Sequence, residues 1–369
     1  MVSELRVRWW GLHRDWNGHE IWSMIRREWL LLLTLGGAVG TSLWLHRLPR
    51  YSLDEIEVLY VLFVLFITTN GLKNSGAFDI LARRVEQGRY VAVKMTLLTF
   101  FLAMVVTNDV SLLIVVPLTI SLQVKQKARL VSLEALAANA GSAITPFGNP
   151  QNLFIYWLYG LTPEAFIKSM WPFGVIFITF LLGISWIVRV PPTEIRPTTK
   201  KGWSQKTGVY GLFLVVVILV ILRLVPMYVG LIPLIYVFLN DRRTLRVDYG
   251  LLLTFFFFFG WTDNLSLMFA PWLQHVHHTF LIAVVLSQIL SNVPTTLLLM
   301  HNVSTWPNLL WGVNVGGFGS LVGSLANLIA YRIYTHDGKG NTKSFLLTFS
   351  LLSYLALAVG IIAYVLIYR

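Results

Sequence analysis

Apolar runs close to bilayer length recur along the whole chain, and they leave few folds open. Trp29–Leu45, Trp171–Val190, Tyr210–Val225 and Phe345–Tyr368 each approach the roughly 20 residues a helix needs to cross a hydrocarbon core. In hydrocarbon every backbone N–H and C=O needs a partner within the protein, so such runs predict helices. Only 12% of the residues are charged, against about 25% in a soluble domain. The chain reads as an all-α polytopic membrane protein with one membrane domain.

The net charge of +12 does not point to nucleic acid. Most Lys and Arg residues lie in short loops between apolar runs, where they set orientation. No cysteine is present, which excludes disulfides and thiolate metal sites. Residues 1–28 mix Trp9, Trp10, Trp16 and Trp22 with Arg6, Arg8, Arg14, Arg26 and Arg27. That mixture predicts a basic segment at the cytoplasmic interface, not a signal peptide.

Basic clusters order the spans. From a cytoplasmic N-terminus, 29–46 leads out and 55–72 returns to Arg83, Arg84, Arg89 and Lys94. The stretch 95–122 is flanked by basic residues at both ends, so it reads as a re-entrant hairpin turning at Thr107-Asn108-Asp109. Span 131–158 crosses outward, broken by Gly141, Pro146, Gly148 and Pro150, and 171–190 returns. A Pro- and Lys-rich linker, 191–206, divides a first half, 29–190, from a second, 207–369. Spans 207–225, 228–240 and 247–262 follow. Next come a hairpin, 279–303, turning at Ser291-Asn292, and a broken span, 308–332. Span 345–368 places the C-terminus outside.

The two broken spans match. An offset of 175 carries Asn139 to Asn314, Gly141 to Gly316, Thr145 to Ser320, Gly148 to Gly323, Asn152 to Asn327 and Leu153 to Leu328. Each follows a hairpin that turns at an Asn, and the charge count runs the halves in opposite directions. This predicts an inverted-topology repeat, an arrangement that binds substrate at broken helices near the midplane and works by alternating access. Freed amides at half-helix N-termini suit anions, and unwound carbonyls suit Na⁺. One Gly-x-x-x-Gly alone would indicate only close helix packing.

Four elements carry a family resemblance: Thr107-Asn108-Asp109; Ile144-Thr-Pro-Phe-Gly-Asn-Pro-Gln-Asn152; Ser291-Asn292-Val-Pro-Thr295-Thr296; and Gly316 to Asn327. With these the chain resembles the ion transporter superfamily, which includes divalent anion–sodium symporters, citrate transporters, arsenite efflux permeases and one class of sodium–proton antiporter. The likeness runs from about residue 29 onward. The tips depart from the Ser-Asn-Thr of the anion–sodium symporters, and the antiporter and arsenite branches tolerate such acidic and Pro-bearing tips. The resemblance implies an elevator motion and a homodimer. It assigns substrate to Thr107, Asn108, Asn149, Asn152, Ser291, Asn292, Thr295, Thr296 and Asn327. It assigns the coupling cation to Asp109, Asn139, Thr145, Gly148, Asn314, Ser320 and Gly323.

Asp109 is the most informative ionisable residue, as either a cation or proton site or a helix cap. Asp263 and Asn264 read as the polar end of span 247–262, and Glu134 as an acid in the first turn of its span. His275, His277 and His278 lack the spacing of a metal site and read as an outer loop. Gly317-Phe-Gly319 follows no strand, so it is no dinucleotide fingerprint, and no catalytic set suggests an enzyme. The expected function is transport of a small oxyanion or di- or tricarboxylate across the inner membrane. Na⁺ or H⁺ is the coupling ion, Na⁺ the only metal, and no cofactor is expected beyond it. Expected partners are membrane lipid, the anion, the coupling cation and a second copy of the chain, but not nucleic acid. A Na⁺/H⁺ antiporter and an arsenite-type efflux permease are the alternatives.

Overall fold

The structure is a computed structural model, and it describes residues 29–77, 90–121, 126–187, 204–268, 278–303, 305–336 and 341–368. The basic segment 1–28, linker residues 191–203 and His275 and His277 lie outside the described residues. Among the described residues all regular structure is helical. Of the described helices, four are long and apolar enough to cross a membrane: α2 (Leu53–Asn74), α7 (Pro163–Ile187), α10 (Tyr249–Met268) and α15 (Thr342–Ile367). The protein is an all-α polytopic membrane protein. Side chains such as Leu347, Leu351 and Leu366 on α15 are exposed on its surface, as a lipid-facing helix requires.

Between the long helices lie shorter ones in chain order. They are α1 (Trp29–Leu45), α3 (Val91–Val106), α4 (Asn108–Ser121), α5 (Lys127–Ser142), α6 (Pro150–Leu158), α8 (Gln205–Ile221) and α9 (Leu231–Asn240), the last entered through a 3₁₀ turn at Met227–Gly230. After α10 come α11 (Thr279–Leu290), α12 (Asn292–Leu299), α13 (Trp306–Gly316) and α14 (Leu325–His336). Helices α3 and α4 pack as one hairpin and α11 and α12 as another. Helices α5/α6 and α13/α14 are each one span whose α-helix is interrupted, the second interruption containing a 3₁₀ turn at Leu321–Gly323. Pro146 and Pro150 cannot continue α5, and Asn149 restarts the helix by accepting the Asn152 N–H on its side chain at 2.9 Å.

Helix ends meet in two groups. In one, Arg47 pairs with Asp263, Asn264 donates to Ser42 at 3.0 Å, Trp157 to the Ile221 carbonyl at 3.2 Å and Tyr159 to the Met300 carbonyl at 2.7 Å. In the other, Asn70 donates to the Thr244 carbonyl at 3.0 Å and Thr207 to Ser75 at 3.2 Å.

Three expectations need correction. Helix α7 starts at Pro163 rather than 171, because the Thr162 hydroxyl accepts the Ala165 N–H at 3.2 Å and starts the helix earlier. Helix α10 runs on to Met268, so Asp263 and Asn264 lie inside it rather than at its end. Asp263 pairs with Arg47 and accepts the Arg50 N–H, and Asn264 Nδ2 donates to Thr41 and Ser42, while Asn264 Oδ1 is buried without a partner. Glu134 is not in a first turn: α5 starts at Lys127, about two turns earlier, and Glu134 is fully buried.

Candidate functional site

The two interruptions meet in the middle of the protein, and side-chain amides join them. Asn139 donates from Nδ2 to Asn327 Oδ1 at 2.8 Å. Asn314, 175 positions after Asn139, donates from Nδ2 to Asn152 Oδ1, also at 2.8 Å. The remaining oxygens are matched in the same crossed way. Asn149 Nδ2 donates to Asn314 Oδ1 at 3.3 Å, and Ser324 Oγ donates to Asn139 Oδ1 at 3.0 Å. All six side chains are buried. A buried amide left unpaired costs about 1–3 kcal/mol, which explains why the crossing is fully bonded.

Each break also keeps its own backbone satisfied. Asn152 Nδ2 donates to the carbonyls of Ser142 (3.2 Å), Ala143 (3.1 Å) and Thr145 (3.0 Å). Asn327 Nδ2 does the same for Gly317 (3.0 Å) and Ser320 (3.3 Å). The amide nitrogens of Asn152 and Asn327 are therefore engaged with backbone. Gly148 permits the close passage of the first break: a Cβ there would strike the Ser142 carbonyl. At Gly323 a Cβ would come within 2.8 Å of the Gly316 carbonyl.

The hairpins abut these breaks at their tips. Thr107 and Ser291 adopt nearly the same backbone, φ 85 with ψ 154 and φ 77 with ψ 157. That region is otherwise essentially reserved for glycine and costs of order 1–3 kcal/mol. Its effect is to turn the chain sharply so that the next helix begins at an Asn. The Asn108 N–H donates to the Gly148 carbonyl at 3.0 Å, and Asn108 Nδ2 reaches Asn139 Oδ1 at 3.5 Å. Asn292 Nδ2 lies against Gly317, 3.1 Å from where a Cβ would stand. Thr145 donates to the Met104 carbonyl at 2.9 Å and Ser320 to the Gln288 carbonyl at 2.9 Å. Their hydroxyls thus fasten each break to its hairpin.

Of the other expected residues, Thr296 donates to the Asn292 carbonyl at 2.8 Å. Buried Thr295 has no partner for its hydroxyl, and half-buried Asp109 has none for Oδ1. Those two are free polar groups behind the tips. Asp263 lies elsewhere, paired with Arg47. Sequence reasoning passed over Gln288, which donates to the carbonyls of Gly316 (2.9 Å) and Phe318 (3.0 Å) and accepts the Ser320 N–H at 2.8 Å. The available signal was a lone Gln in the apolar run of α11, one turn before the Ser291 tip.

Four half-helix N-termini (α4, α6, α12 and α14) and four C-termini collect around this network. Among the described residues the buried charged side chains are Glu55 and Glu134, so the network itself is neutral. It presents dipoles of both signs without a fixed charge, and can hold an anion and a cation side by side.

Residues 20–311 match the citrate transporter family. The chain belongs to that family. It is 37% identical over 330 residues to the inner membrane protein YbiR of Escherichia coli, covering 83% of this chain and 87% of that protein. It is 31% identical over 317 residues to an uncharacterized transporter of Methanocaldococcus jannaschii, covering 82% and 88%. A shorter match, 32% over 142 residues, is to the silicon efflux transporter LSI3 of Oryza sativa, covering 36% and 26%. This member of the citrate transporter family is a multi-pass membrane transport protein, not an enzyme.

Proposed function

We propose that the chain is a secondary active transporter of a small oxyanion or di- or tricarboxylate, driven by a Na⁺ or H⁺ gradient. The observation that carries this is the doubled crossing of the breaks, Asn139 to Asn327 and Asn314 to Asn152. A fold that needed only packing would have no use for two interrupted spans filled with amides. In this reading Thr107, Asn108, Ser291, Asn292, Thr295 and Thr296 contact the anion, with Asn149 beside them. Asn152 and Asn327 keep the breaks open. The coupling cation sits near Asp109, Asn139, Thr145 and Gly148, or near Asn314, Ser320 and Gly323.

Two inverted repeats and an elevator motion complete the proposal. In its support, every contact between helix ends described above joins ends that the basic loops put on one side of the membrane. The test is flux into proteoliposomes offered labelled citrate, succinate, sulfate, phosphate or arsenite from outside under an imposed Na⁺ gradient, then a pH gradient. Uptake of one anion above an Asn108→Ala control identifies substrate and coupling ion together. A panel in which none exceeds the control sinks the anion reading.

Asp109 favours a second reading, a Na⁺/H⁺ antiporter, because a carboxylate oxygen without a partner beside a hairpin tip suits a cation. ²²Na⁺ flux driven by a pH gradient without added anion, and lost in Asp109→Asn, would select it. The silicon efflux relative favours an efflux permease of the arsenite type as the third candidate, and the arsenite arm of the panel addresses it.

A further inference from the structure

Glu134 takes no part in the asparagine network, yet among the described residues it is the one charged side chain with zero exposure. Its Oε1 accepts a hydrogen bond from the Thr119 hydroxyl of α4, and its Oε2 has no partner. The surrounding face of α5, with Val131, Ala135 and Ala138, joins an apolar cluster with Val116, Ala330 and Phe349. The offset of 175 that superposes the two breaks carries Glu134 to Leu309, also fully buried. The same packing position is thus filled by a hydrocarbon in the other half. Packing alone does not call for a carboxyl here.

Among the described residues, the charged and titratable groups on the helices packed against α5 do not neutralise it, and Tyr364 of α15 stacks on Phe280. Lys127 turns its ammonium to the Ile120 carbonyl, and Asp109 lies at the opposite end of α4. Arg129, Glu164, Lys168, Arg332, Lys343 and Tyr354 are exposed, while Lys94 and Tyr331 are half-buried. Tyr334 is in the apolar cluster. An ionised carboxylate enclosed in such a site costs several kcal/mol unless a cation or water reaches it. The enclosed arrangement therefore suits the protonated acid. Releasing the proton requires α4 and α5 to part enough to wet Oε2.

We propose that Glu134, held by Thr119, is a proton-binding site separate from the asparagine network. It is loaded when α4 and α5 are packed as here and unloaded when that interface opens, which makes a pH gradient a driving force for transport. This rests on the transporter reading above.

Infrared difference spectra of the full chain in detergent at neutral pH test the first step. Wild-type minus Glu134→Gln should show the C=O stretch of a protonated carboxylic acid, and Glu134→Leu should lack it too. Glu134→Leu takes the side chain that the other half already packs, so it is expected to fold. Absence of that band overturns the proposal. In proteoliposomes with labelled citrate, Glu134→Gln should lose at least about tenfold of pH-driven uptake while citrate–citrate exchange stays within about threefold. Unchanged pH-driven uptake in Glu134→Gln also overturns it. Failure of the transporter reading looks different, since the wild-type chain would then move no probe.

Discussion

Asn314 donates its side-chain amide to Asn152 at 2.8 Å, and Asn152 in turn donates to the carbonyls of Ser142, Ala143 and Thr145. One residue thus ties the second break to the first and closes the first break on itself. Asn152→Ala would orphan those groups together. The expected result is a fall in thermal stability in detergent worth about 1–3 kcal/mol for each group that stays unsolvated. The Asn152→Ala/Asn314→Ala pair should be non-additive by about 0.6 kcal/mol or more, the usual size of such bonds within membranes. Additive losses would show that the two amides act independently.

Asn108 and Asn292 begin the returning helices of the two hairpins. Each Ala substitution should lower transport at least about tenfold while leaving expression and gel-filtration behaviour intact. Loss of one good polar contact to a bound ion, about 1.4 kcal/mol, already gives that factor. Wild-type flux in both variants would remove the tips from the binding site.

Thr107 and Ser291 hold a backbone that glycine adopts without penalty. Thr107→Gly and Ser291→Gly should therefore fold, with stability raised by up to about 1 kcal/mol. A lowered melting temperature would show that the side chains stabilise the tips by more than the strain costs. A stability gain accompanied by slower transport would mean that the strain serves the moving state.

The proposed opposite orientation of the two halves has a direct chemical test. The chain has no cysteine, and Arg129 and Thr305 are exposed at the starts of the two broken spans. Arg129→Cys and Thr305→Cys should react with a membrane-impermeant maleimide from opposite sides in intact cells and inverted vesicles. Labelling of both from one side would break the inverted arrangement.

Much of this protein was legible from one dimension. Apolar run length forces membrane helices, because hydrocarbon leaves the backbone no other partner. Gly, Pro and Asn at an offset of 175 locate both breaks, and the polar pairs Thr107-Asn108 and Ser291-Asn292 inside apolar runs locate both tips. What the sequence could not give was which polar group meets which. Asn139 reaches across 188 positions to Asn327, and no local pattern encodes a contact at that separation. Gln288 looks like a stray polar residue until Gly316 and Phe318 are brought beside it. Glu134 looks like a helix-start acid until α5 is seen to begin about two turns earlier and Thr119 closes over it. Periodicity and composition fix what each segment can be, because they act through local sterics and solvation. Partnership in a buried polar network depends on how the segments pack, and that only the tertiary structure decided.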